Sequence, residues 1–195
     1  MPNLTKRSHF LKIAITLLLS LSSFGVVGGS FFLRKAFSNS NSPDIINAVS
    51  EYHQIRENLR ANNYPRKHFP SQIPADAEDV NLAYSPSTAM GNSFLQVKWK
   101  QSPEKLKNLH LQYRKIAKHK YKGGNTNDHA NLSDGVPTTF FYTNNAAASF
   151  PSDYEILVLD AQDRGSSGFK WSHGESYGVA INDSATEIVY WWEKW

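Results

Sequence analysis

The chain contains no cysteine, which excludes disulfide staples, thiolate zinc sites, thiol nucleophiles and a lipid-modified amino-terminal cysteine. Charge is scarce as well. Only 19% of the 195 residues are Asp, Glu, Lys or Arg, too few for a solvated polyelectrolyte tail. The nine prolines and eleven glycines follow no period, so collagen-like and low-complexity architectures fall away, and no internal repeat is visible. What is present is 40% hydrophobic and 13% aromatic residues, enough for one ordinary folded domain with appendages but too short a chain for two large cores.

The formal charge of +4 does not describe the body of the chain. Lys6, Arg7, Lys12, Arg34 and Lys35 flank one apolar stretch, and residues 36–195 carry 16 basic against 17 acidic side chains. With a nearly neutral body and no reader motif, nucleic acid is not expected as a partner. Within that body the charges are segregated. Lys98 to Lys122 holds nine basic residues and one acid, Glu104, whereas residues 128–195 hold ten acidic residues and three basic ones. Two readings follow: a basic helix lying beside an acidic sheet edge of the same domain, or a basic surface for anionic lipid or another polyanion.

The apolar stretch, Ile13 to Leu33, is 21 residues without a charge. As a helix it spans ~30 Å, the thickness of the hydrocarbon core. This predicts a single-pass signal anchor in the lipid bilayer, and the basic excess before it predicts a cytoplasmic amino terminus with the remainder extracytoplasmic. The alternative is a cleaved secretory signal, with Ile13 to Leu21 as its apolar region and Val27-Gly28-Gly29 as small residues before a cut at Ser30. Phe31-Phe32-Leu33 continue the apolar run past that cut, as uncleaved anchors do.

Three regions follow: a stub and anchor over 1–35, a juxtamembrane linker with an amphipathic helix over 36–64, and a globular α+β domain over 65–195. The helix is expected from Ser42 as cap and Pro43 in the first turn, with Ile45, Val49, Tyr52, Ile55 and Leu59 on one stripe. Pro65, Pro70 and Pro74 predict an extended crossing after it. Strands are expected over Val80 to Tyr84 and Phe94 to Lys100, the second with Leu95, Val97 and Trp99 inward and Gln96, Lys98 and Lys100 on a solvated face. Ser102 and Pro103 open a helix to about His119, with Leu106, Leu109, Tyr113, Ile116 and Ala117 as its apolar stripe. Further strands are expected at Thr138 to Tyr142, at a central Tyr154 to Asp160, and in a hairpin of Ser176 to Ile181 with Thr186 to Trp192. The fold class is an antiparallel sheet of about five or six strands with the 103–119 helix on one face.

Lys67-His68-Phe69-Pro70, Tyr84-Ser85-Pro86, Tyr154 to Leu159, His173-Gly174, Tyr177 to Ile181 and the Glu187 to Trp195 end together resemble a group of small exported or lipoprotein-like bacterial proteins. The resemblance covers about residues 65–195. It implies export in a bacterium, hence anchoring in the plasma membrane, and carries no activity or catalytic residues. Some of the similar proteins are held by an amino-terminal lipidated cysteine, which this chain replaces with its apolar segment.

The most suggestive chemistry lies between the last expected strands. Asp160, Asp163, His173 and Glu175 border a long loop containing Gly165-Ser166-Ser167-Gly168, and pairing of its flanking strands would bring some of these groups near one another as ligands for a cation. Solvated loop residues held by Asx turns are the plain alternative. His129 could join a hydrolytic set with Ser166, Ser167 or Ser172, although no zinc-binding His-Glu-x-x-His, no phosphate-cradling loop and no nucleophile elbow is recognised to select among them. Trp192, in the terminal Tyr190-Trp191-Trp192 run, either packs in the core or offers an aromatic platform to a protein or glycan partner. No cofactor is implied. A binding or interaction module is thus the leading expectation, with a metal-dependent or hydrolytic enzyme built on Asp160 to Glu175 as the alternative.

Overall fold

A computed structural model describes residues 45–65, 67–86, 93–124, 128–144 and 149–195. The 13–33 segment and the Ser42 to Asp44 start of the first expected helix lie outside them. Among the described residues no helix is long and apolar enough to cross a membrane.

Six strands form one antiparallel sheet: β1 (Glu78–Ser85), β2 (Ser93–Lys100), β3 (His119–Lys122), β4 (Glu155–Asp163), β5 (Gly174–Asn182) and β6 (Glu187–Lys194), in the order β1-β2-β6-β5-β4-β3. Two helices accompany it, α1 (Tyr52–Ala61) and α2 (Pro103–Ile116). The α+β class and the terminal hairpin agree with the sequence. The hairpin strands β5 and β6 take the centre, while β4 lies one place from the edge and β3 closes it.

One face carries Leu82, Leu95, Val97, Trp99, Leu157, Val179, Ile188, Tyr190 and Trp192, packed against Tyr52, Ile55 and Leu59 of α1 and Leu106 and Tyr113 of α2. Both helices place their apolar stripe here because three-to-four spacing puts those side chains on one side of the cylinder. A strap, residues 67–77, crosses the same face with Phe69 buried in the core. The opposite face carries Ile156, Val158, Ala180, Val189 and Trp191 beneath Val136, Phe141, Phe150 and Tyr154.

That second cover corrects the expectation of a solvated face on β2. Gln96 is fully buried: its amide nitrogen donates to the Phe140 carbonyl at 2.8 Å, and its oxygen accepts from the Thr143 N–H and hydroxyl, both at 2.8 Å. Lys98 pairs with Glu187 at 3.3 Å and lies 5.8 Å from the Phe141 ring centre. Residues 138–142 form no strand. They run as irregular chain over the sheet, taking hydrogen bonds from side chains rather than from a ladder. Replacing Gln96 with leucine, which keeps the volume but strips the Thr143 N–H of its acceptor, is expected to cost about 2–4 kcal/mol in urea unfolding. A cost below about 0.5 kcal/mol, the range of neutral surface changes, would mean this contact does not hold the cover.

Other boundaries move for local reasons. Ile45 and Ile46 are not helical: Ile46 bridges Tyr84 at the edge of β1, Ile45 is exposed, and a 3-10 turn (Val49–Glu51) precedes α1. Helix α2 stops at Ile116 because Ala117 is already extended, and the chain then pairs with β4 as the unexpected β3. Gly178 has no room for a side chain, since a Cβ there would sit 2.1 Å from the Leu157 carbonyl and 3.0 Å from the Trp191 ring.

Candidate functional site

The long connection narrows once the strands pair. Asp163 lies opposite Gly174 and Gln162 opposite Glu175, leaving residues 164–173 as the loop. A register shift between Val158 and Asp160 sets Asp160 opposite Tyr177. This β-bulge turns Asp160 to the helix-bearing face, two-residue periodicity notwithstanding, because a bulge inserts one extra residue and reverses the alternation beyond it. Asp160, Gln162, Glu175 and Tyr177 consequently share that face and, with Pro65 and Ala161, line a depression of about 140 Å³.

The carboxylates there are each engaged. Asp160 accepts from Lys118 Nζ at 2.6 Å, which raises the lysine pKa above its ordinary value. Glu175 pairs with Arg164 at 2.7 Å and receives the Trp192 indole N–H at 3.5 Å. Burial first and then the Asp160 charge push the Tyr177 hydroxyl pKa upward. Asp163 instead organises the loop: its Oδ1 accepts from the Gly165 N–H at 2.8 Å and the Trp171 N–H at 3.0 Å. That second bond helps hold Trp171 at φ 62, a conformation side chains seldom take. His173 is exposed, and its carbonyl receives the Arg164 N–H at 2.8 Å.

His129 does not join them. It sits in a 3-10 turn (Asp128–Asn131) with its ring stacked 4.3 Å from Tyr121 and Nδ1 3.2 Å from the Thr138 hydroxyl, among the residues covering the other face. The sheet therefore lies between it and the Asp160–Glu175 depression. Among the described residues no group of three or more His, Asp or Glu is arranged to hold a metal ion. Of the two readings of Trp192 the structure shows core packing: Tyr190, Trp191 and Trp192 are all within the two cores, and none of the three leaves an exposed aromatic surface.

Two features escaped the sequence reading. Gly174-Glu175-Ser176-Tyr177-Gly178 spells Gly-x-Ser-x-Gly, but it lies within β5 and Ser176 is fully buried with its hydroxyl unpartnered, whereas a nucleophile elbow presents its serine on a sharp strand-to-helix turn. His110 on α2 meets Glu155 through Nε2 at 2.5 Å and Asp183 through Nδ1 at 2.9 Å. Both ring nitrogens meet carboxylates, so the residue ties α2 to β4 and to the β5–β6 turn.

The basic helix is the remaining candidate, and its charges divide. Five of the nine basic residues from Lys98 to Lys122 form ion pairs, with Glu187, Asp79, Asp76, Glu155 and Asp160. Three of these partners, Glu187, Glu155 and Asp160, belong to the acidic 128–195 stretch, as the charge segregation allowed, whereas Asp76 and Asp79 precede the basic region. Lys107, Lys115, Lys120 and Lys122 have no ion-pair partner among the described residues and are exposed. Lys107, Leu111 and Lys115 follow at four-residue spacing on the side of α2 away from Leu106 and Tyr113, and Leu111 there and Ile116 at the helix end each expose more than half their surface. In β3, Lys120 and Lys122 lie opposite Leu157 and Glu155, hence on the sheet face that α2 covers. Four lysines without an ion pair among the described residues and two exposed aliphatic side chains thus fall within α2 and β3.

Compared with known proteins, the chain matches no family model, no curated protein and no solved structure. The likeness to small exported bacterial proteins rests on the quoted motifs alone.

Proposed function

We propose that this chain is a binding module tethered to a bacterial plasma membrane by residues 13–33, with its globular domain on the extracytoplasmic side and resting on anionic lipid through α2 and β3. The observation that carries this reading is the outer side of α2, where exposed Leu111 lies between exposed Lys107 and Lys115 at four-residue spacing, with exposed Ile116 at the helix end and exposed Lys120 and Lys122 in the following β3. Lysines near a negative bilayer surface contribute about 1 kcal/mol each, and aliphatic side chains between them add burial in the headgroup layer. A tether supports the same reading, because it makes encounter with the bilayer intramolecular and so lets a weak surface suffice.

The test uses the absence of cysteine. Full-length chain carrying Leu111→Cys and an environment-sensitive fluorophore is reconstituted in phosphatidylcholine vesicles with or without phosphatidylglycerol. A blue shift and headgroup-nitroxide quenching are expected only with the anionic lipid, and both should vanish at high salt or when all four lysines become glutamate. An identical signal in neutral vesicles overturns the surface, and loss of the unlabelled chain from membranes in alkaline carbonate overturns the tether.

A further inference from the structure

We propose that the strap over residues 67–77 is an acid-releasable latch, with the imidazole of His68 as its trigger. Pro70 and Pro74 remove backbone donors, and no backbone–backbone hydrogen bond joins described residues 67–77 to the sheet; the Ala77 N–H bonds within the strap, to Pro74. Side chains hold it instead. The Tyr113 hydroxyl of α2 donates to the His68 carbonyl at 3.1 Å, and the Tyr52 hydroxyl of α1 donates to the Pro70 carbonyl at 2.7 Å. Phe69 fills the core beside Tyr190.

His68 supplies the strap's direct bond to the sheet. Its ring lies 4.2 Å from Phe69 and stacks 4.9 Å from Tyr177 of β5, and its Nε2–H donates to the Trp191 carbonyl of β6 at 2.9 Å. That bond selects the neutral tautomer with the proton on Nε2. Nδ1 is buried and has no partner. A second proton would therefore create a cation enclosed by aromatic rings and a single carbonyl, a state that burial disfavours strongly.

The groups facing it offer little relief. Tyr177, Tyr113, Tyr52 and Tyr190 are titratable, but burial raises each hydroxyl above its ordinary pKa and keeps it neutral across the acid range. Arg56, which acts on Tyr52, is itself a cation. Asp160 and Glu175 act on Tyr177 rather than on the imidazole, and they are paired with Lys118 and Arg164. The two influences on the His68 ring are burial, which drives its pKa down to about 3, and the weaker opposing Trp191 carbonyl. Below the pH at which a free imidazole protonates, lifting the strap relieves the penalty without breaking a strand ladder, so opening is local. It uncovers the Tyr177 ring beside the Asp160–Glu175 depression.

The experiment is hydrogen exchange on the full-length chain in neutral detergent, from about pH 7.5 to about pH 4.5, with intrinsic exchange rates divided out. Protection of the Ala77 amide, whose N–H is bonded within the strap to Pro74, is expected to fall roughly tenfold or more beyond any fall in β2, β5 and β6, and His68→Gln should abolish that pH response. Equal loss in strap and sheet, or an unchanged pH response in the variant, overturns the latch. Should H68Q fail to fold, imidazole nitrogen resonances of the wild-type chain decide: conversion of His68 to imidazolium must coincide with strap opening, and absence of that coincidence overturns the proposal.

Discussion

Trp192→Ala is expected to lower the unfolding free energy by about 3–5 kcal/mol. The indole is fully buried, lies in β6 between Leu95 of β2 and Tyr177 of β5, and is capped by the Tyr64 ring at 4.6 Å. Truncation removes the transfer free energy of a large side chain and leaves a cavity between two central strands that cannot collapse without bending the sheet. It also deprives Glu175 of the indole N–H. Trp192→Phe keeps much of the volume and should cost less. Urea unfolding followed by far-ultraviolet dichroism checks both. A tryptophan kept for stacking a ligand would be exposed, and its alanine variant would unfold within about 0.5 kcal/mol of wild type.

Acidification should destabilise the domain from about pH 6.5 downward, beginning before the carboxylates titrate. His68 binds its second proton near pH 3 in the folded chain and near 6.5 when unfolded. Between those values the unfolded chain holds more protons than the folded one, so stability falls as pH drops below 6.5, and His68 adds no further change beneath the folded value. At about pH 4.5 the loss from this one group amounts to roughly 2–3 kcal/mol. The exposed pairs act elsewhere. Lys105 and Lys100 hold the Asp76 and Asp79 carboxyls below their ordinary 3.8, so their contribution is present above that value and fades only beneath it. Chemical unfolding across pH 7.5 to 4.5 should therefore slope in the wild type and be flatter in His68→Gln by about the histidine share. A slope identical in both would assign the acid sensitivity to other groups. If the strap opens first, the wild-type slope levels off at the pH where exchange shows opening, because the released imidazole then titrates as it does in the unfolded chain.

The residues carrying strong local signals were legible without coordinates. Ser102 and Pro103 mark the start of α2, the Leu106 and Tyr113 stripe marks its buried side, and the alternation through Leu95, Val97 and Trp99 marks β2. Each signal lies within a few residues of chain, where sterics and periodicity act directly. The candidate site was legible as residue types but not as a site. Asp160 needed a bulge to reach the face it occupies, and His129 lies across the sheet from it. Nothing in the neighbouring sequence announces either, since both depend on partners tens of residues away.

The sequence by itself determined the α+β class with its antiparallel sheet, the terminal hairpin, the position of the basic helix and the lack of any thiol chemistry. Only the tertiary structure decided that both faces of the sheet are covered, that Gln96 is interior, that His68 lies between aromatic rings, and that five basic residues of the Lys98–Lys122 region are ion-paired while four have no such partner among the described residues. The physical reason is range. Helix and strand patterns are written at spacings of two to four residues, whereas burial of a polar group and pairing of a charge are settled by whichever distant segment the folded chain brings against them.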